Sequence, residues 1–241
     1  MPCSVLLAGL LVLAVLGGCV APRQGDWWLA RRDSSGQAPD AATTPEAVLQ
    51  VYAARAVSWR GILAVHTWIA VKRTAASAYT RYEVMGWGVD RGMAAIRVNR
   101  TGPDNYHFGA RPNLLLDRRG EGVDGLIDRV ETAIAAYPYP GKYRLWPGPN
   151  SNTFTAFVGR SVPELRLKLP PTAIGKDYLP GGALVAMTPA GRGVQFSLFG
   201  VAGIGAGWDE GFEVNVLGLV FGLDVTSPGL KLPGVGRIGV P

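Results

Sequence analysis

The sequence predicts an α+β fold in which a mostly antiparallel sheet packs with helices and is followed by a glycine-rich β segment. Residues 62–71 and 79–87 are rich in β-branched and aromatic side chains and are joined by a short polar stretch, as in paired strands. Apolar residues recur at helical spacing across 122–136. Near the C-terminus, the alternating runs 194–199 and 212–220 are bounded by glycines, which indicates further antiparallel strands.

Composition excludes several classes of protein. The 241 residues are 48% apolar and 17% charged, so disorder is excluded over most of the chain, and one domain with a smaller appendage is expected. Two cysteines and two histidines, without a metal-binding spacing, predict no metal site and no cofactor. The net charge of +6 is scattered and accompanies no nucleic-acid-binding motif, so no nucleic acid partner is expected.

The N-terminus has the features of an export signal. Residues 1–22 carry no charge, and the apolar run 5–16 would span only about 18 Å as a helix, too short for a membrane crossing. The sequence Leu16-Gly17-Gly18-Cys19 resembles the lipobox of bacterial lipoproteins. That resemblance implies a signal peptide over 1–18, acylation of Cys19 and attachment to the periplasmic side of a bacterial membrane. The n-region lacks Lys and Arg, which leaves an uncleaved N-terminal anchor as the alternative.

Changes of composition predict the domain limits. Residues 19–43 are expected to be a tether, 44–180 an α+β core, and 181–241 a glycine-rich β appendage. Within the core, Thr44-Pro45 followed by an apolar face through Tyr52 predicts a helix start. Residues 94–99 are expected to form a third strand. The glycine-rich stretch 200–207 is followed by another strand instead of a helix, which favours a hairpin over a nucleotide loop.

Two separated motifs are candidates for chemistry. His66 lies within a predicted strand, where a histidine is either a buried core residue or a base presented to a cleft. Asn150-Ser151-Asn152-Thr153 marks a turn followed by a helix, and one of these side chains is expected to cap it. A hydroxyl at a helix N-terminus also lies near unpaired N–H groups that stabilise an anion. His107, in a predicted loop, is a further candidate base or ligand.

A strand histidine followed by a helix N-terminus resembles circularly permuted papain-like enzymes, including NlpC-type peptidases. Ser151 stands where that family's pattern places the nucleophilic cysteine. The resemblance implies that Ser151 is the nucleophile, His66 the base, and N–H groups around Ser151 and Asn152 an oxyanion site. Glu83 or Tyr82 would orient His66, and the choice depends on a strand register that the sequence leaves open.

Longer blocks, among them HTWIAVK, FGARP, WPGPNSNTFTA and LPPTAIGKDYLP, resemble the bacterial family called domain of unknown function 3750. That family has no established activity. Two functions are therefore compared. Serine in place of cysteine favours a non-catalytic envelope protein that binds peptide, glycan or lipid, with binding residues at Trp68, Trp87, Trp146, Asn150 and Asn152. The alternative is a hydrolase or acyltransferase acting on envelope amides or esters. The oligomeric state is left open.

Overall fold

The computed structural model describes residues 27–239 of the chain. The α-helices and strands are, in chain order, β1 (Val48–Arg55), β2 (Val65–Lys72), β3 (Thr80–Val84), β4 (Ile96–Val98), β5 (Asn113–Arg119), α1 (Val123–Ala135), α2 (Ser151–Ser161), β6 (Val185–Met187), β7 (Gly193–Leu198), β8 (Ala202–Gly207), β9 (Gly211–Val216), β10 (Leu219–Asp224), β11 (Gly229–Leu232) and β12 (Gly236–Gly239). The predicted leader 1–18 and Cys19 lie outside the described residues.

The first five strands form one antiparallel sheet in the order β4-β3-β2-β1-β5. The paired strands predicted over 62–71 and 79–87 are confirmed as β2 and β3, and the predicted third strand is β4. The helix predicted over 122–136 is α1. Together with the antiparallel second sheet, this confirms the α+β class.

The main core lies between the first sheet and the two helices. Fully buried Leu49, Val51 and Ile69 from the sheet meet Ile127 from α1 and Phe154 from α2. Because side chains alternate along a strand, the neighbouring residues Tyr52 and Trp68 lie on the other face of the sheet. That face therefore has its own smaller core, in which the two rings stack 5.6 Å apart.

The predicted helix beginning at Thr44-Pro45 is wrong, because Val48–Arg55 is an interior strand of the first sheet. Strands β2 and β5 flank β1, and nearly all of its side chains are buried on both faces. A strand buried on both faces shows no alternation of apolar and polar residues, so its pattern is compatible with a helix. Strand β5 was not predicted at all, because its edge position exposes most of its side chains.

The segment 27–43, predicted to be a tether, is attached to the folded domain at its middle. The Asp104 carboxylate accepts hydrogen bonds from the Ser34 hydroxyl at 2.8 Å and from the Gln37 backbone N–H at 2.6 Å. Ser34 also pairs with Asn105 through the backbone. This segment therefore helps to cover the face of the sheet opposite the helices. In the described part of the chain, no helix is long and apolar enough to cross a membrane.

The second sheet contains seven antiparallel strands in chain order, from β6 to β12. The glycine-rich stretch 200–207 contributes β8, which pairs with β7 and β9 as the hairpin prediction required. Gly211 opens β9 with φ of +70°, and a Cβ built there would lie 2.1 Å from the Leu223 carbonyl oxygen. Only glycine fits at that turn.

The alternation in this sheet is the reverse of that in an ordinary soluble domain. Its inner face carries polar side chains that are buried, including Gln195, Ser197 and Asn215. The apolar side chains point outward, and Phe196 and Ile204 are 40% and 54% exposed.

Buried polar contacts join the inner face to the rest of the domain. Lys176 donates to Glu213 at 2.5 Å, and Lys231 donates to the same carboxylate at 2.7 Å. Asn215 donates to Asp177 at 2.8 Å. These contacts hold the second sheet to the segment that follows α2, so its polar face is already covered.

Candidate functional site

A cavity of about 380 Å³ lies at one end of the first sheet. Strands β2 and β3 are paired from Trp68 to Val71 but not at Val65, His66 and Thr67, so the sheet is open at this end. The wall of the cavity is formed by the ends of β2 and β3, the loops of the first sheet, the start of α2 with the segments beside it, and the turn between β9 and β10. The lining residues are Ala56, Val57, Trp59, Arg60, Leu63, Ala64, Val65, His66, Val84, Met85, Gly86, Trp87, His107, Phe108, Tyr143, Leu145, Trp146, Asn150, Ser151, Asn152, Ile174, Leu217 and Leu219.

His66 is paired with Glu83. The register sets Trp68 opposite Glu83 and Ile69 opposite Tyr82, which puts Glu83 on the same face as His66. His66 Nε2 lies 2.9 Å from Glu83 Oε2. Tyr82 points to the helical side and donates its hydroxyl to Glu131 at 2.8 Å. Glu83 is therefore the residue that orients His66, and Tyr82 is not.

The Glu83 carboxylate is held in its charged form. Arg81 donates to the same Oε2 atom at 2.9 Å, and both side chains are almost fully buried. Burial alone would raise the pKa of Glu83, but the hydrogen bond with His66 and the charge of Arg81 outweigh burial and lower this pKa to about 2. A charged Glu83 accepts a hydrogen bond from the Nε2–H of His66, and in that tautomer Nδ1 is the ring nitrogen with the free lone pair.

His107 lies beside His66 in the same wall of the cavity. Both imidazoles are 9% exposed. Burial, followed by the proximity of His66, keeps the pKa of His107 well below 6.5. The loop position predicted for His107 is correct, and its backbone pairs with Ala110.

Asn150 is the N-cap of α2, and its side-chain oxygen serves that role. Asn150 Oδ1 accepts from the backbone N–H groups of Asn152 at 2.9 Å and Thr153 at 3.1 Å. The Thr153 hydroxyl accepts from the Asn150 N–H, which completes a capping box. Because the Asn152 N–H is engaged, it is not available for an oxyanion. The Ser151 N–H has no acceptor among residues 27–239.

Ser151 is the first residue of α2 and lines the cavity. Asn152 Nδ2 donates to the Val65 carbonyl at 2.9 Å, and Thr67 Oγ1 lies within donating distance, 3.2 Å, of the Ser151 carbonyl. The start of α2 is thus attached to the residues on either side of His66. Ser151 Oγ makes no hydrogen bond to any described residue, and none joins it to His66.

The predicted tryptophans divide into two groups. Trp87 and Trp146 line the cavity and are 51% and 45% exposed. Trp68 does not line it, because this ring is fully buried and its indole N–H donates to the Pro103 carbonyl at 2.7 Å. Asn152 does line the cavity, although its amide is committed to backbone carbonyls.

Sequence reasoning missed several other residues of the cavity. Trp59 lies in a short 3-10 helix, and Leu217 lies between two strands of the second sheet. Leu217 is brought to the cavity by Trp146, which donates to its carbonyl at 3.1 Å. That contact joins positions far apart in the sequence, so no local pattern indicated it. Within the described residues, no group of three or more His, Cys, Asp or Glu is arranged to hold a metal ion.

These features define an α+β protein with an aromatic cavity and a buried Glu–His pair at one end of an antiparallel sheet. The chain belongs to the family described as protein of unknown function (DUF3750), whose model matches residues 46–178. The match includes His66, Glu83, His107 and Ser151 and excludes the second sheet. Comparisons with curated proteins and with solved structures gave no match.

Proposed function

We propose that this protein is a lipid-anchored envelope protein that binds an apolar or amphipathic ligand, such as a fatty acyl chain, in its cavity. The observation that supports this best is the cavity itself. Its volume, about 380 Å³, suits a small ligand, and apolar and aromatic side chains form most of its wall. His66, His107 and Ser151 supply a few polar groups that would bind a carboxylate or ester head.

The lipid anchor is proposed from the sequence. The apolar run and the lipobox-like Leu16-Gly17-Gly18-Cys19 support acylation of Cys19. An anchored protein lies next to membrane lipids at all times, so acyl chains are available to it as ligands. Cys19→Ala should release the protein from bacterial membranes into the soluble fraction. Retention of this variant on membranes would contradict acyl anchoring without affecting the proposal for the cavity.

Ligand binding is tested with a fluorescent fatty acid titrated against the purified protein. Trp87→Ala removes a large aromatic side chain from the cavity wall and should weaken binding at least about tenfold. Trp208→Ala is the matched control, because Trp208 is 63% exposed and does not line the cavity. Equal affinity of both variants and the wild type, or no binding by any of them, would contradict the proposal.

A second candidate function is acyl transfer to or from Ser151. It is favoured by one observation, the 2.9 Å contact of His66 Nε2 with Glu83 in a cavity that also contains the unbonded Ser151 hydroxyl. Ser151 would attack the carbonyl of an ester or amide, and His66 Nδ1 would accept the hydroxyl proton and return it to the alcohol or amine that leaves. Water or an acceptor alcohol would then take the acyl group from Ser151 and restore the hydroxyl. The resemblance to circularly permuted papain-like enzymes supports these roles.

A fluorophosphonate probe distinguishes catalysis from binding. The wild type should be labelled, and Ser151→Ala should not be. Ser161→Ala, at the exposed end of the same helix, should be labelled like the wild type. Absence of labelling in the folded wild type would exclude this mechanism and would leave ligand binding as the function of the cavity.

A further inference from the structure

The second sheet has an outer face that is apolar throughout. We define the outer face as the side chains of β6–β12 that point away from the rest of the domain. Cross-strand partners on this face are apolar across several strands, as in the row Phe196, Ile204 and Val214. The row of Leu223 and Leu230 continues the pattern toward β12. No outward position of these strands carries a charged side chain. Glu213, Asp224 and Lys231 point inward, and Arg237 lies opposite Lys231 on the same inner face and pairs with Asp224.

The outer face is large and is uncovered within the described chain. Val185, Ile204 and Leu223, taken from across the sheet, are 60%, 54% and 56% exposed. Seven strands of three to six residues, which rise about 3.4 Å per residue and lie about 4.8 Å apart, give a face on the order of 600 Å². An apolar patch of that size on a soluble surface is typical of an interaction site.

Rearrangement within the chain cannot bury this face. The inner face already packs on the domain through Glu213, which binds both Lys176 and Lys231. If the sheet were turned over, its apolar side chains would face the buried charge of Lys176. The ion triad of Lys176, Glu213 and Lys231 would also be broken. The cover must therefore come from outside the described chain.

We propose that the cover is a second copy of this chain, and that two outer faces pack together as a β-sandwich across a two-fold axis. Two faces of this size would bury on the order of 1,200 Å², which is within the range of stable interfaces. A face without charges also matches the composition of homodimer interfaces, which are more apolar than the ordinary protein surface.

The shape of the outer face, with small side chains beside large ones, also suits a protein partner. Strand β8 places the small Ala202 and Ala206 on either side of Ile204. The larger Phe196 and Phe212 stand on the neighbouring strands. The alanines leave space between the larger side chains, and this allows the side chains of two identical sheets to interdigitate at the usual separation of about 10 Å. A fluid bilayer requires no such fixed relief.

The experiment uses the full chain in native membranes without detergent. The chain carries Cys3→Ser, so that Cys19 of the lipobox is the one natural cysteine that remains. Ile204→Cys and Val214→Cys each place a thiol near the centre of the outer face. Mild oxidation should convert most of at least one variant into a covalent dimer on a non-reducing gel. Glu121→Cys, on an exposed turn away from the second sheet, should stay monomeric.

Two results would overturn the proposal. If both thiols react with a water-soluble maleimide and give no dimer, the outer face is open to water. If they react only with a membrane-soluble maleimide and give no dimer, the bilayer covers the face. Circular dichroism of each purified variant must match the wild type. Fatty acid binding by the same variants separates this result from the proposed function of the cavity.

Discussion

The imidazole of His107 stacks on that of His66, with ring centroids 4.4 Å apart and ring planes 10° from parallel. Two cations at that separation would repel each other in a buried site. The stacked pair is therefore suited to at most one positive charge. Burial, followed by the proximity of His66, lowers the pKa of His107, so the His107 imidazole is neutral at neutral pH.

His107 should make the protein less stable in mild acid. Burial holds the pKa of folded His107 well below 6.5, whereas the unfolded residue titrates near 6.5. The unfolded state therefore binds the proton first, and stability that is complete above pH 6.5 decreases as the pH falls below it. The decrease approaches about 1.4 kcal/mol per pH unit. The melting temperature of His107→Gln should fall less between pH 7.5 and 5.5 than that of the wild type. Parallel decreases would contradict this assignment.

Removing the charge of Glu83 should destabilise the protein more than removing the Tyr82 hydroxyl. Glu83→Gln leaves Arg81 buried without its counter-ion, which costs about 3 kcal/mol or more. Tyr82→Phe loses one part-buried hydrogen bond and should cost about 1 kcal/mol. Urea denaturation at pH 7 measures both free energies of unfolding. Equal losses would show that Arg81 finds another partner.

The same carboxylate should stabilise the protein toward acid. The pKa of Glu83 is about 2 in the folded state, below the ordinary value of 4.5. This contribution is therefore complete above pH 4.5 and is lost as the pH falls toward 2. Stability curves over that range should be flatter for Glu83→Gln than for the wild type, and identical curves would argue against a charged Glu83.

The roles of Glu83 and β1 show where the sequence is informative and where it is not. The β-branched and aromatic residues around His66 predicted its strand but left two candidates to orient it, because only the register of β2 against β3 decides between them. The face of α1 was predictable since it is half-buried and periodic. β1 was not, because complete burial removes the period that distinguishes a strand from a helix.

The cavity and the ion triad of Lys176, Glu213 and Lys231 could not be predicted from the sequence, for a different reason. Lys176 and Glu213 meet across a long interval of sequence, and their neighbours give no sign of the pairing. The alternation of the second sheet was visible in the sequence, yet it could not tell which side faces inward. That choice depends on the buried charges, whose partners are known only from the fold.

Glu213→Gln should loosen the second sheet. The substitution leaves the ammonium groups of Lys176 and Lys231 close together and buried without the carboxylate that pairs with both. Breaking such a group costs about 3–5 kcal/mol. Hydrogen exchange should become faster in β9–β11 while β1 and β2 remain protected, because the first sheet has its own core. Glu121→Gln, which is exposed, should leave both the exchange and the stability unchanged. A uniform increase over both sheets would instead indicate a single cooperative unit.

Ser151→Cys tests whether the start of α2 stabilises an anion. A thiol at this position would lie at the positive end of the helix, beside the unpaired Ser151 N–H and close to the β2 residues that carry His66. Its pKa should therefore fall below the usual 8.5, and iodoacetamide should alkylate it at pH 6 at least about tenfold faster than Ser161→Cys. Ser161 is the better exposed of the two positions, so simple access favours the control. Adding His66→Ala should reduce the rate if the imidazole helps to hold the thiolate. Equal rates for both cysteines would show that this helix end does not activate a nucleophile, and the serine mechanism would lose its main support.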